Sequence, residues 1–149
     1  MTAAVSPPSS VLFACTQNAV RSPMAEALLK HFHGRRIFVD SVGLRTSDID
    51  PLAIEVIAEL GIDLKRHRAK TFDLLADMSF DLVVTLSPEA HHRALELTRT
   101  MACDVEYWPT YDATHEEGNR DSRLAAYRQV RDALRQRILA RFPLAAPAV

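Results

Sequence analysis

The chain has 149 residues, 48% of them apolar and 25% charged, with a formal net charge of −1. That length suits one domain with one core, and the small net charge excludes a global field that would gather nucleic acid or an anionic membrane. No apolar run is long enough to span a bilayer. The two cysteines, Cys15 and Cys103, are too few for a disulfide framework.

Residues 1–10, with a Pro-Pro pair, lack the basic and apolar regions of a signal peptide and read as a flexible arm. A reducing cytoplasm is the expected location. The apolar run Val11 to Cys15 predicts a central strand buried on both faces. Met24, Ala25, Leu28, Leu29 and Phe32 then share one helical face, with Gly34 as the stop. Ile37 to Val39 predicts a second strand and Ser41 to Gly43 its exit. Asp50-Pro51 opens a helix, with an N-cap residue followed by proline. That helix buries Ala53, Val56, Ile57 and Leu60, and Gly61 ends it. Leu64 to Lys70 is a basic connection, and Thr71 to Asp77 a short helix.

Asp81 to Leu86 predicts the third strand, and Ser87-Pro88-Glu89 opens a helix running to about Thr100. Val105 to Trp108 is the fourth strand. The polar loop Thr110 to Asn119 leads into a last helix whose buried face is Leu124, Tyr127, Val130, Leu134, Ile138 and Phe142. Residues 11–142 therefore form the domain and 143–149 a flexible tail. Strands alternate with helices, so the predicted fold is α/β, a three-layer sandwich around a four-stranded parallel sheet. Ligands then bind at the carboxyl ends of the strands.

The chemistry concentrates where the first strand meets the first helix. Cys15 ends the strand, Arg21 follows six residues later, and Ser22-Pro23 begins the helix. Free backbone N–H groups and the helix dipole make such a junction an anion site. A cysteine there has the surroundings of a nucleophile, and a guanidinium matches phosphate oxygens. Nucleophile, cradle and guanidinium together point to phosphoryl transfer through a phosphocysteine.

Cys15, Asn18, Arg21, Ser22, Pro23 and Ala25 occupy the places of the signature Cys-x-Gly-Asn-x-x-Arg-Ser-Pro-x-Ala. The chain thus resembles the low-molecular-weight protein tyrosine phosphatases from Val11 to about Phe142. The resemblance implies a flavodoxin-like fold of the phosphotyrosine protein phosphatase I type. It implies that Cys15 takes the phosphoryl group, held by Arg21 and the backbone of Thr16, Gln17, Asn18, Ala19, Val20, Arg21 and Ser22. Asn18 braces the loop in a left-handed conformation with Ser41 and His67, and Ser22 donates to Cys15. Asp112 is the acid and then the base.

The implied activity is hydrolysis of phosphomonoesters, protein phosphotyrosine foremost, on a protein or small phosphorylated substrate. Neither metal nor organic cofactor is expected, and the expected state is a monomer or weak dimer without nucleic-acid or membrane partners. His91 and His92 are adjacent on a helix and point about 100° apart, which argues against metal ligation. Two alternatives remain, a thiol-linked arsenate reductase, which shares the fold, and a phosphoanion-binding module without turnover. Three departures bear on the choice: Gln17 replaces the signature glycine, Val20 a frequent second loop cysteine, and Ala113 the proline that usually follows the aspartate. Ser87 stands where a thioredoxin-coupled reductase would carry a thiol.

Overall fold

The computed structural model describes residues 7–75 and 79–144. The parts of the expected arm, short helix and tail at 1–6, 76–78 and 145–149 lie outside the described residues. Four strands, β1 (Ser10–Cys15), β2 (Phe38–Gly43), β3 (Leu82–Thr85) and β4 (Asp104–Tyr107), alternate with four helices, α1 (Arg21–His33), α2 (Pro51–Ala58), α3 (Pro88–Leu97) and α4 (Arg120–Arg141). The sheet is parallel throughout, in the order β2-β1-β3-β4. The chain leaves β1 toward β2 and later returns to β1's other side as β3. That reversal makes the carboxyl end of β1, where Cys15 stands, a topological switch point and a natural crevice.

β1 is almost wholly buried because both its faces are covered. Val11, Phe13 and Cys15 join the core beneath α1, α2 and α4, while Leu12 and Ala14 face a smaller cluster with Val83, Ala90 and Ala94. The period-two alternation of a strand divides one apolar run between two cores. Met24, Leu28 and Leu29 of α1 and Tyr127, Leu134 and Ile138 of α4 fill the larger one.

The departures from the predicted boundaries are local. β1 begins at Ser10, inside the expected arm, and Ser9 donates its N–H and hydroxyl to Asp81. β2 continues through Ser41 to Gly43, which the polarity of Ser41 had suggested was an exit. α2 ends at Ala58, so Leu60 sits in the turn before Gly61, whose φ of 79° suits glycine. Phe72–Leu75 is a 3₁₀ turn, and α3 stops at Leu97 rather than Thr100.

Candidate active site

The loop between β1 and α1 closes around a hollow of about 360 Å³ with Cys15 at its base. Its shape is set from outside. The carbonyls of Cys15, Thr16, Gln17 and Ala19 accept the backbone N–H groups of Leu44, Arg45, Ser47 and Asp50, at 3.1–3.3 Å. The carbonyl of Asn18 faces His67 Nε2 at 3.2 Å. In a trans peptide the N–H points opposite to the C=O. The N–H groups of Thr16 through Val20 therefore turn inward, into the hollow. α1 continues the cradle. Its N-cap, Val20, makes no side-chain cap bond, whereas Asp50, Ser87 and Asn119 cap the other three helices. The first-turn N–H groups of α1 are thus left for an anion.

A chain of buried polar groups fixes proton directions beneath the loop. The Glu26 carboxylate accepts from Ser41 Oγ at 2.6 Å, with Lys30 on its other oxygen. Ser41, having donated, accepts from Asn18 Nδ2 at 2.9 Å, and the second amide hydrogen goes to Ser22 Oγ at 2.9 Å. Asn18 Oδ1 then accepts from the Lys70 N–H at 3.0 Å and from His67 Nε2 at 3.1 Å. Every hydrogen-bonding site on the Asn18 amide is used, and its backbone is held at φ 53°. Ser22 has accepted, so its own proton is left for Cys15 Sγ at 2.9 Å or the Val42 carbonyl at 3.3 Å. His67 Nε2 faces two oxygens and so carries its hydrogen. Burial pushes the His67 pKa below its ordinary value, against the pull of Glu26.

The upper wall carries Arg21 and Asp112. Arg21 donates to the Thr110 carbonyl at 3.1 Å, touches Thr16 Oγ1 at 3.5 Å and lies 3.8 Å from Asp112 Oδ2. Asp112 caps a 3₁₀ turn, Ala113–His115, accepting from the Thr114 hydroxyl at 2.6 Å and the Thr114 N–H at 3.0 Å. Partial burial raises its pKa. The Thr114 bonds, Arg21 and His115 outweigh this and hold the carboxyl below the usual range. Cys15, the loop, Arg21 and Asp112 all line one hollow, and Asn18, Ser22, Ser41 and His67 meet behind it.

The departures from the signature have structural answers. Gln17 is not in the left-handed region, where Asn18 is the one described non-glycine residue, and its side chain turns outward to Ser47 at 3.3 Å. Val20 is buried in the main core. Ala113 is 1% exposed, and Asp112's own cap bonds pin the loop that proline would otherwise stiffen. Trp108 packs edge-on against Phe13, and Tyr107 stacks on His91. Tyr111 points away, with its hydroxyl on Glu116 at 2.9 Å. Cys103 is half-buried, and burial pushes its thiol up. Among the described residues no three His, Cys, Asp or Glu side chains group as metal ligands, and no helix is long and apolar enough to cross a membrane.

Sequence reasoning missed Glu26, the loop-girdling segment 44–50 and Gly43. The Glu26–Lys30 spacing of four has the look of a surface ion pair, yet Glu26 is 9% exposed. The segment 44–50 acts through main-chain donors and leaves no side-chain signature. A Cβ at Gly43 would stand 2.7 Å from the Asn18 nitrogen, which the dipeptide Val42-Gly43 alone does not reveal.

Residues 10–140 match the protein family described as low molecular weight phosphotyrosine protein phosphatase. An arsenate reductase of Halalkalibacterium halodurans is 32% identical over 130 residues, 86% of this chain and 91% of that protein. A solved arsenate reductase in its phosphate-binding state superposes with a TM-score of 0.69 at 26% identity, over 89% of this chain and 95% of that one. The tyrosine phosphatase amsI of Erwinia amylovora gives a TM-score of 0.72 over 88% and 89% of the two chains. Its identity is 21%, a likeness of fold.

Proposed function

The chain belongs to the low molecular weight phosphotyrosine protein phosphatase family, and on that premise we propose that it hydrolyses phosphomonoesters through a phosphocysteine. The observation that carries this reading is the placing of Asp112 beside Arg21 over the hollow that Cys15 floors. The phosphoryl oxygens take the inward N–H groups and the Arg21 guanidinium, donors fixed in advance of the charge they stabilise. Cys15 Sγ attacks phosphorus, and the ester P–O bond breaks. Phosphate on Arg21 removes its pull on Asp112 and sets negative charge beside the Asp112 carboxyl, which favours its protonated form in the substrate complex, and Asp112 gives this proton to the leaving oxygen. The carboxylate left behind then takes a proton from water as water attacks the phosphocysteine, and the S–P bond breaks to release phosphate and return the sulfur as the attacking thiolate. Ser22's available proton stabilises the sulfur as it leaves.

The names of the curated relatives favour arsenate reduction as a second reading. An internal dithiol relay is unsupported. Ala14 aligns with Thr85 and Thr85 with Tyr107. This register puts Cys103 about 16 Å along the strands and about 10 Å across them from Cys15. A disulfide needs Cα atoms within about 7 Å. Reduction would draw its second thiol from solution. Two free thiols suit a reducing cytoplasm.

Metal-free hydrolysis of para-nitrophenyl phosphate tests the reading. Cys15→Ser abolishes it, Asp112→Asn slows turnover by about 10²-fold or more while vanadate still binds, and Cys103→Ala leaves the rate alone. Arsenate reduction that exceeds phosphatase turnover when a soluble thiol reductant is supplied would overturn it.

A further inference from the structure

The walls above the cradle hold no Phe, Tyr or Trp side chain. Outside the loop, the hollow is bounded by Arg45, Pro88, Glu89, Asp112, Thr114 and His115. Tyr111, which occupies the loop position nearest to being a ring wall, is 55% exposed and faces a separate groove with Trp108 and Pro109. A phenyl ring entering behind its phosphate would meet a guanidinium, two carboxylates and an imidazole, and no apolar aromatic wall.

Two of these charges make no ion pair or side-chain hydrogen bond among the described residues, although Glu89 also favours the dipole of α3. Arg45, just after β2, and Glu89, in the first turn of α3, are both exposed and take part in no ion pair. They flank the entrance from opposite sides of the loop. Charge balance then decides what they favour. A loaded site holds a phosphate dianion and the Glu89 carboxylate against the guanidinium groups of Arg21 and Arg45, with the His115 imidazole at the rim. Asp112 is neutral while it acts as the acid. Negative charge is in excess, and a positive group on the leaving alcohol offsets it at Glu89.

Resting on the hydrolase reading for the identity of the site, we propose that its preferred substrate is an aliphatic phosphomonoester whose alcohol carries an ammonium group, bound by Glu89 at the pocket rim. The ammonium group binds and does not react. The P–O bond to the alcohol breaks as the S–P bond forms, the Asp112 proton goes to the alcohol oxygen, and water later cleaves the S–P bond. Arg45 is free to take a carboxylate on the same substrate, so a phosphorylated amino alcohol or amino acid fits both rim charges.

The test uses 2-aminoethyl phosphate and n-propyl phosphate, which differ by an ammonium group in place of a methyl. Binding to Cys15→Ser protein is measured by calorimetry, so the result does not depend on turnover. The expected result is that the amine binds about threefold tighter or more at low salt, the scale of one solvent-exposed charge pair. Added salt weakens the preference, and Glu89→Gln brings the ratio to about one. Equal binding, tighter binding of phenyl phosphate than of the amine, or a preference that survives Glu89→Gln would overturn the proposal. Failure of the wild-type protein to hydrolyse para-nitrophenyl phosphate would instead overturn the hydrolase reading, and the calorimetry would still decide whether the rim selects a cation.

Discussion

Asn18→Ala removes the residue on which the loop and its supports converge. Asn18 has φ 53° and is fully buried. Alanine in that region costs about 1 kcal/mol. The substitution also strands the Lys70 N–H, which loses Oδ1 as its acceptor, whereas the His67 Nε2–H keeps the Asn18 backbone carbonyl. That site is partly buried, so the loss costs about 1 kcal/mol, the low end for an unsatisfied group. Ser41 keeps Glu26 and Ser22 keeps Val42 as partners, and neither adds to the cost. The expected loss is about 2 kcal/mol, or about 4–8 °C in Tm for a domain of this size. Urea unfolding followed by the fluorescence of the single tryptophan, Trp108, reads it. Asn18→Gly serves as the control. Glycine accepts the backbone conformation without strain but restores no hydrogen bond, so it recovers about 1 kcal/mol only. A cost under about 1 kcal/mol for alanine, or full recovery by glycine, would refute the view that the amide network holds the loop.

Two further outcomes follow from the same geometry. Burial depresses the His67 pKa below its ordinary 6.5. As pH falls, the unfolded chain therefore binds this proton before the folded one does. Stability from neutral His67 is complete above about pH 6.5 and declines as pH drops from there through the folded value. Urea midpoints should fall more steeply on acidification in the wild type than in His67→Gln, and parallel slopes would contradict the assignment. Thr114→Val removes a hydroxyl that favours the Asp112 carboxylate. The Asp112 pKa then rises, and the alkaline limb of kcat/KM moves to higher pH. An unmoved limb would place the acid elsewhere.

The elements were legible where one physical signal dominated. The run Val11 to Cys15 could only be a strand buried on two faces, and Asp50-Pro51 and Ser87-Pro88 announced their helices as caps followed by proline, both with the capping bonds now seen. The polar end of β2 was harder. Ser41 reads as a turn residue until Glu26 and Asn18 are known to satisfy its hydroxyl. The loop's anion-binding character was visible in Cys15, Arg21 and the helix start. The roles of Asn18, Ser41 and His67 came only with the family pattern, because sequence separations of 23 and 49 residues carry no local signal. The girdle from Leu44 to Asp50 was invisible because main-chain donors are common to every residue but proline. The direction of Tyr111, away from the hollow, depends on its bond to Glu116 five residues on, a contact that residue type alone does not announce.

The central claim is a phosphoryl group carried by Cys15. Mixing wild-type protein with para-nitrophenyl phosphate in the presence of a metal chelator, quenching during turnover and mapping the phosphorylated peptide by mass spectrometry tests it directly. A single phosphoryl group on Cys15, formed and discharged at the rate of phosphate release and missing in Cys15→Ser, is the predicted result. Steady hydrolysis with no phosphoryl group on Cys15, or hydrolysis undiminished in Cys15→Ser, would contradict it.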